Sequence, residues 1–424
     1  MRVLVTASII LFSLSVLFSA PGELKWRYKT EGTIDYSSPF INESEVYFGS
    51  NDTYVYALNA YDGTLKWKYK TGGGIDSSPL VADASLYIGS NDTYLYSLNC
   101  TDGTLKWRYK TDGKIDSSPS LSNGYIFFGS HDTYIYSVDI EDSALRWRYK
   151  ANAAITYSSP CMADGSLYIG SDDFNLYSLN ETDGALKWTF KTDYYIYSSP
   201  VVENSVVYFG SMDSYLYALN VSDGSLKWKY QASKYVWTTP FILDNILYMA
   251  GGIDLYSLNS SDGSFIWSFQ AIDSFRSSPL AYNNIVYAGS QDFNLYAVNI
   301  TDGTLSWKYI TGNYVRSSPA LFNGLLYFGS CDTYLYALET DSYQDFRKDK
   351  SSAKLPDLSI SAYPNPFSTR LSVSLPSSGA IYSLTGQLII KLGKGKHSLD
   401  TSKWREGVYI VKSGMECKRI VKIR

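Results

Sequence analysis

Between residues 22 and 340 the chain alternates short apolar or aromatic runs with polar breaks at a spacing that hardly drifts. Over residues 86–110, for example, LYIGS is followed by NDTYLYSLN, then by the turn TDG and by TLKWRYK. Each run has about four to seven residues of alternating or β-branched and aromatic character, the period-two signature of a strand. Asp-Gly pairs at 62–63, 102–103, 183–184, 223–224, 262–263 and 302–303 predict a tight hairpin between the third and fourth runs. Ser143 takes the place of that glycine in the third repeat, a loss expected to be tolerated at an exposed turn. Beyond the first twenty residues no useful stretch has the helical period. The predicted class is all-β.

The pattern returns eight times. Trp26, Trp67, Trp107, Trp147, Trp188, Trp228, Trp267 and Trp307 are separated by steps of 41, 40, 40, 41, 40, 39 and 40. A Ser-Ser-Pro triplet follows each of them, at Ser37, Ser77, Ser117, Ser158, Ser198, Ser277 and Ser317, with Thr238-Thr239-Pro240 in the sixth repeat. Four short strands cannot bury their own faces, so neighbouring units must stack, and radial closure removes the open ends. The last repeat stops at LYALET (335–340) without its fourth strand, whereas GELKWRYK (22–29) supplies one before any other part of a blade. The expected architecture is therefore an eight-bladed β-propeller over residues 22–341, closed by the N-terminal strand.

Composition and charge divide the rest. The 40 Tyr, 18 Phe and 10 Trp fit aromatic packing between strands. Residues 342–424 hold 15 Lys/Arg and 6 Asp/Glu, which leaves 22 basic and 35 acidic residues for the remainder. An acidic body without a basic stripe argues against a nucleic-acid partner, whose phosphates need neutralising. Arg2, the apolar run Val3–Phe18 and the small Ser19 and Ala20 predict a secretory signal over residues 1–20, too short to favour a permanent transmembrane anchor. Cys100, Cys161, Cys331 and Cys417 fall at unrelated repeat positions and read as unpaired buried or half-buried residues. A polar linker at 342–356 leads to a second unit at 357–424, whose short alternating runs suit a small β-sandwich.

Two resemblances follow from these motifs. The tyrosine-rich third strand, the Asp-Gly turn and Leu-x-Trp in the fourth resemble the PQQ-like repeat family, which includes quinoprotein dehydrogenases and an outer-membrane assembly propeller. The chain departs from it at Thr53, Thr93, Thr133 and Thr333, where many members have Gly. YPNPF (363–367), Tyr382-x-x-x-Gly386-Gln387 and GVYIVK (407–412) resemble the type IX secretion sorting domain of Bacteroidota. That resemblance implies an address: the type IX machinery as partner, and a secreted or outer-surface location.

The chemistry is sparse. The two histidines, His131 and His397, leave no basis for a Ser-His-Asp triad or a histidine zinc site in the ring. No phosphate loop, nucleophile elbow or metalloprotease helix occurs. Asp52, Asp92, Asp132, Asp173, Asp213, Asp292 and Asp332 recur with the blades and are expected to cap turns, not to bind metal. Quinoprotein dehydrogenases use a vicinal disulfide and a calcium site that have no counterpart here, so no cofactor, PQQ included, is expected. What varies is the residue before each Ser-Ser-Pro: Tyr36, Asp76, Asp116, Tyr157, Tyr197, Trp237, Arg276 and Arg316. These eight are the candidate ligand ring, with acids on blades 2–3, aromatics on 4–6 and arginines on 7–8, thickened by Tyr194, Tyr195, Tyr235 and Tyr314. Stacking rings and guanidinium forks suit a glycan, a peptide or protein segment, or a small acidic ligand. The expected role is non-enzymatic binding or scaffolding. Alternatives are a surface enzyme using Asp76 and Asp116, and an outer-membrane assembly scaffold.

Overall fold

The computed structural model describes residues 21–42 and 44–340, together with seven strands of a C-terminal unit. The predicted signal at 1–20 and linker at 342–356 lie outside the described residues. The chain divides into two compact units, Met1–Gln344 and Asp345–Arg424.

In the first unit each repeat becomes one antiparallel sheet with its strands in chain order. The first sheet runs Phe40–Asn42, Glu45–Gly49, Tyr54–Asn59 and Leu65–Lys70, and six more repeat it. The eighth takes Ala320–Phe322, Leu325–Gly329 and Tyr334–Glu339 from the C-terminal end and Leu24–Lys29 from the N-terminal end. Trp26 pairs with Ala337 and Lys29 with Tyr334, so the closing strand is the one expected from the sequence. In every fourth strand the register shifts beside the tryptophan. In the first sheet Leu65 pairs with Leu58 and Trp67 with Ala57, which leaves Lys66 bulged outward.

The core lies between blades. Middle strands such as Tyr54–Asn59 are buried on both faces, because each sheet has a neighbour on either side. The tryptophan ties one blade to the next: its indole N–H donates to a backbone carbonyl of the following blade in seven cases, at 2.7–3.2 Å. The same ring presses on the glycine of that blade's Asp-Gly turn. Gly103 has φ +72°, and a Cβ there would come within 2.5 Å of Trp67. Glycine is thus demanded twice, by the left-handed backbone and by the indole. In the third repeat Ser143 takes the place of this glycine, and Trp107 still donates to Ile140 O at 3.0 Å. Ser143 holds φ 62° at the equivalent position, and its N–H reaches Asp139 O only at 3.2 Å, against 2.8 Å for Gly103 to Asn99 O.

The repeated aspartates are turn caps, as expected, and they also stitch blades together. Asp52 Oδ1 accepts from Tyr54 N–H, while Oδ2 accepts from Tyr56 Oη–H at 2.7 Å and from Glu31 N–H, which arrives from the preceding blade, at 3.0 Å. The turn is a three-residue loop whose last residue is left-handed, and Thr53, Thr93, Thr133 and Thr333 fill that place at φ 74–77°. The sixth blade shortens the loop to Gly252-Ile253, and Asp254 takes a serine, Ser233 Oγ–H, at 2.5 Å.

The C-terminal unit holds a three-stranded sheet (Ser361–Tyr363, Arg370–Leu375, Gly395–Asp400). Its four-stranded sheet runs Leu388–Leu392, Gly379–Ser383, Gly407–Ser413, Glu416–Lys422. The strand at 395–400 is missing from the sequence reading, because KGKHS lacks apolar alternation. Residues 364–367, the PNPF turn, lie outside the described residues. Among the described residues no helix is long and apolar enough to cross a membrane.

Candidate ligand site at the channel mouth

The Ser-Ser-Pro triplets build the inner wall. The first serine's Oγ accepts from the N–H of the glycine that ends the second strand, as Ser37 does from Gly49 at 2.8 Å, fixing the approach to the first strand. The second serine faces sideways. Ser38 N–H donates to Ser78 Oγ, Ser78 N–H to Ser118 Oγ and Ser118 N–H to Ser159 Oγ, each at 2.9 Å. The chain of bonds runs on round the ring until Ser318 N–H returns to Ser38 Oγ at 2.9 Å. The link into Thr239 is not made, and there Ser198 Oγ–H donates to Thr238 O at 2.9 Å. Proline then sets the chain into the first strand without presenting an unpaired donor.

Above this wall the structure brings all eight ring residues to one cavity of about 170 Å³, floored by the second serines and Thr239. They do not occupy equivalent places, as the repeat symmetry suggested. Counted from the buried apolar residue that precedes them, six follow at once, as Asp76 follows Ile75. Tyr36 and Tyr157 follow Ile34 and Ile155 only after an extra residue, Asp35 or Thr156. The signal was present as the two steps of 41 in the tryptophan spacing. The added residue carries each tyrosine further inward, and Tyr36 of the first blade meets Tyr157 of the fourth at 5.1 Å between ring centres. Trp237 stacks on Tyr36 at 6.0 Å and 19°, and Tyr197 lies 4.5 Å from Trp237. Instead of lining one side of an open funnel, four aromatic rings converge across it. Burial, with Asp35 nearby, pushes the Tyr36 phenol up to about 12, and burial pushes Tyr197 up to about 12 as well. Both stay protonated at neutral pH.

The two arginines differ. Arg316 is committed: Nη1 donates to both oxygens of Asp35 at 3.1 and 3.3 Å, and with its amide oxygen turned inward Gln291 accepts from Nη2 at 2.9 Å. Arg276 lies over Trp237 at 4.3 Å and Tyr235 at 4.9 Å, with a single weak contact from Nη2 to Tyr235 Oη at 3.5 Å. Its Nε and Nη1 are sealed from water and have no hydrogen-bond partner.

The acids are uncommitted too. Asp76 Oδ2 accepts from Asn91 at 3.3 Å and its Oδ1 has no partner. Burial, then the charge of Asp116, pushes the Asp76 carboxyl up to about 6. Asp116 is only 8% exposed; His131 Nε2 stands 2.8 Å from its Oδ2, and its Oδ1 has no partner. Sequence reasoning placed His131 in a variable turn and missed this contact, which repeat position 51/91/131 could have revealed, since Asn91 touches Asp76 in the same way. Cys100, Cys161 and Cys331 are free thiols, and Cys331 Sγ–H reaches Asp35 Oδ1 at 3.4 Å. Among the described residues no three His, Cys, Asp or Glu side chains gather as for a metal.

Residues 12–253 match a family described as the beta-propeller of the beta-alanine-activating enzyme. Residues 236–342 match the outer membrane protein assembly factor BamB, and residues 361–423 a secretion system C-terminal sorting domain. Among solved structures the chain is similar to BamB from Moraxella catarrhalis, with TM-score 0.66, 16% identity, and cover of 74% of this chain and 99% of that one. It is also similar to the computationally designed Ika8 protein, with TM-score 0.65, 15% identity and cover of 73% and 98%. At such identities the likeness extends to the fold alone. No curated protein matches the chain at a significant level.

Proposed function

The chain belongs to the beta-propeller family described for the beta-alanine-activating enzyme and ends in a type IX sorting domain that directs export; from that premise we propose that it is a non-enzymatic binding protein of the cell surface. The ligand site in this reading is the channel mouth. The activity in the family description is that enzyme's own, and assembly of outer-membrane proteins is likewise the relative's. One observation carries the reading. Buried polar atoms without partners are few in folded chains, and three charged residues that line one cavity, Arg276, Asp76 and Asp116, each have at least one. A wall that needed only to be stable would satisfy or replace them.

The test is a panel of glycans, peptides and small charged molecules offered to the full chain, with Trp237→Ala and Arg276→Ala beside it. Binding that both variants lose supports the mouth as the site. Binding that neither variant alters removes it.

The enzyme reading retains one specific support. Burial and the charge of Asp116 on the next blade push the Asp76 carboxyl up to about 6, and a carboxyl so raised is suited to general-acid work. Turnover of any panel member that Asp76→Asn or Asp116→Asn abolishes would sink the binding-only reading.

A further inference from the structure

Five charged side chains meet at the mouth, and two of the charges cancel. Arg316 and Asp35 form a forked ion pair at 3.1–3.3 Å. The remaining charges are Arg276 on one side and Asp76 with Asp116 on the other, on blades separated by the converging aromatic rings, and His131 Nε2 stands 2.8 Å from Asp116 Oδ2. Arg276 lies over Trp237 at 4.3 Å with its Nε and Nη1 unpaired, and each guanidinium edge combines one of them with the weakly held Nη2. A guanidinium fork so presented is complementary to a carboxylate. Asp116, more than nine-tenths buried, and Asp76 each hold an acceptor oxygen that no group of the protein satisfies. Ionised carboxylates only accept, so the missing partner must bring donors, and a positively charged donor would also offset their charge.

We propose that the mouth is a receptor site for a small zwitterion, its ammonium held between Asp76 and Asp116 and its carboxylate on the Arg276 fork. This rests on the reading of the mouth as a ligand site and names the ligand class. A neutral sugar would leave Arg276 and Asp76 without counter-charge, at the cost that desolvated ions carry. A metal ion is disfavoured on the acidic side. Two carboxylates fall short of the six or so oxygens that hard cations take, and the neighbouring walls are the rings of Tyr36 and Tyr157. Aromatic faces beside carboxylates suit an organic ammonium instead. The cavity, about 170 Å³, has room for a small molecule and not for a folded partner.

The experiment is calorimetric titration of the full chain with straight-chain ω-amino carboxylates, from glycine to 6-aminohexanoate. Hexylamine, hexanoate and a neutral methyl glycoside serve as matched controls. The expected result is an optimum at one chain length, with either singly charged control weaker by roughly tenfold or more. Arg276→Gln should erase the advantage over hexylamine, and Asp76→Asn with Asp116→Asn the advantage over hexanoate. Hexylamine or hexanoate binding as tightly as the best zwitterion overturns the proposal. So does silence across the whole series. If the glycoside or a panel peptide binds while the zwitterions do not, the ligand class is wrong and the mouth remains a binding site. If those are silent too, both readings fall.

Discussion

The outer part of each blade and the channel mouth are made from the same repeat, yet they are built on opposite rules. Toward the outside one device recurs: an indole donates to the next blade's carbonyl and lies on that blade's turn glycine. An aspartate pins its own tyrosine and the incoming loop. At the mouth the equivalent position is filled by tyrosine, aspartate, tryptophan or arginine. Two blades even insert a residue to place theirs. Where eight copies agree, the residue answers to a packing requirement that every blade shares. Where they disagree, no shared requirement dictates the choice. Repetition thus separates residues that hold the fold from residues free to serve a ligand.

The contrast can be broken most sharply with two tryptophans. Trp67→Ala removes an indole that is 8% exposed, its bond to Cys100 O and its cover over Gly103. The expected cost is about 3–5 kcal/mol in chemical denaturation, the range for a buried aromatic truncated in a core. Trp237→Ala acts on a half-buried ring whose neighbours are other mouth side chains. Its stability cost should be clearly smaller, about 1–2 kcal/mol for lost ring contacts, while ligand binding is lost. Equal destabilisation by the two substitutions would show that the aromatic cluster is part of the core, and the division into shell and mouth would collapse.

How far the sequence already showed this division depends on the kind of signal. Blade count, closure by residues 22–29 and the capping role of Asp52 and its equivalents are legible because local pattern repeats them eight times. Membership of the eight ring residues in one place is legible too, since a repeat aligns them. What the repeat concealed is where symmetry fails. Tyr36 and Tyr157 reach across the channel only because Asp35 and Thr156 lengthen the path, a detail that averaging over repeats hides. The His131–Asp116 contact links two turns fifteen residues apart, the same spacing as Asn91 and Asp76, and only an alignment of repeat positions could have paired them. At Ser143 the sequence showed a turn, and what it hid is that the glycine of the other blades lies under a neighbouring blade's indole.

A second way to sharpen the comparison uses charge. Asp76 gives up its proton near 3.8 in the unfolded chain and near about 6 in the fold. A raised native value favours the folded state while the carboxyl is protonated. That contribution is complete below pH 4 and is lost as pH climbs through 6. The groups acting on it are Asp116, Asp35, Asn91 and Asn51, after burial itself. Asp76→Asn should therefore stabilise the protein at neutral pH by about 2 kcal/mol and flatten the pH dependence between 4 and 6. Unfolding midpoints measured across that range for both proteins decide it. A stabilising substitution at the mouth, with ligand affinity reduced, is the signature of a residue kept for function at a cost to the fold. A destabilising one would place Asp76 with the shell.

The smallest effect lies in the shell and tests whether the repeat rule is quantitative. Ser143 sits at φ 62° where six other blades have Gly at φ 70–73°. Left-handed backbone costs an L-residue about 1–2 kcal/mol, and glycine repays part of that through its larger unfolded-state freedom. Ser143→Gly should therefore raise stability by about 0.5–1 kcal/mol, leaving ligand affinity unchanged. The reverse change, Gly103→Ser, should cost more than Ser143→Gly gains. In the third blade the surroundings have already accommodated a Cβ, whereas Trp67 stands 2.5 Å from where the new one would go. Equal and opposite values would mean that only the backbone matters at this turn. A larger loss at Gly103 would show that the indole enforces the glycine, and that each blade's turn is specified by its neighbour.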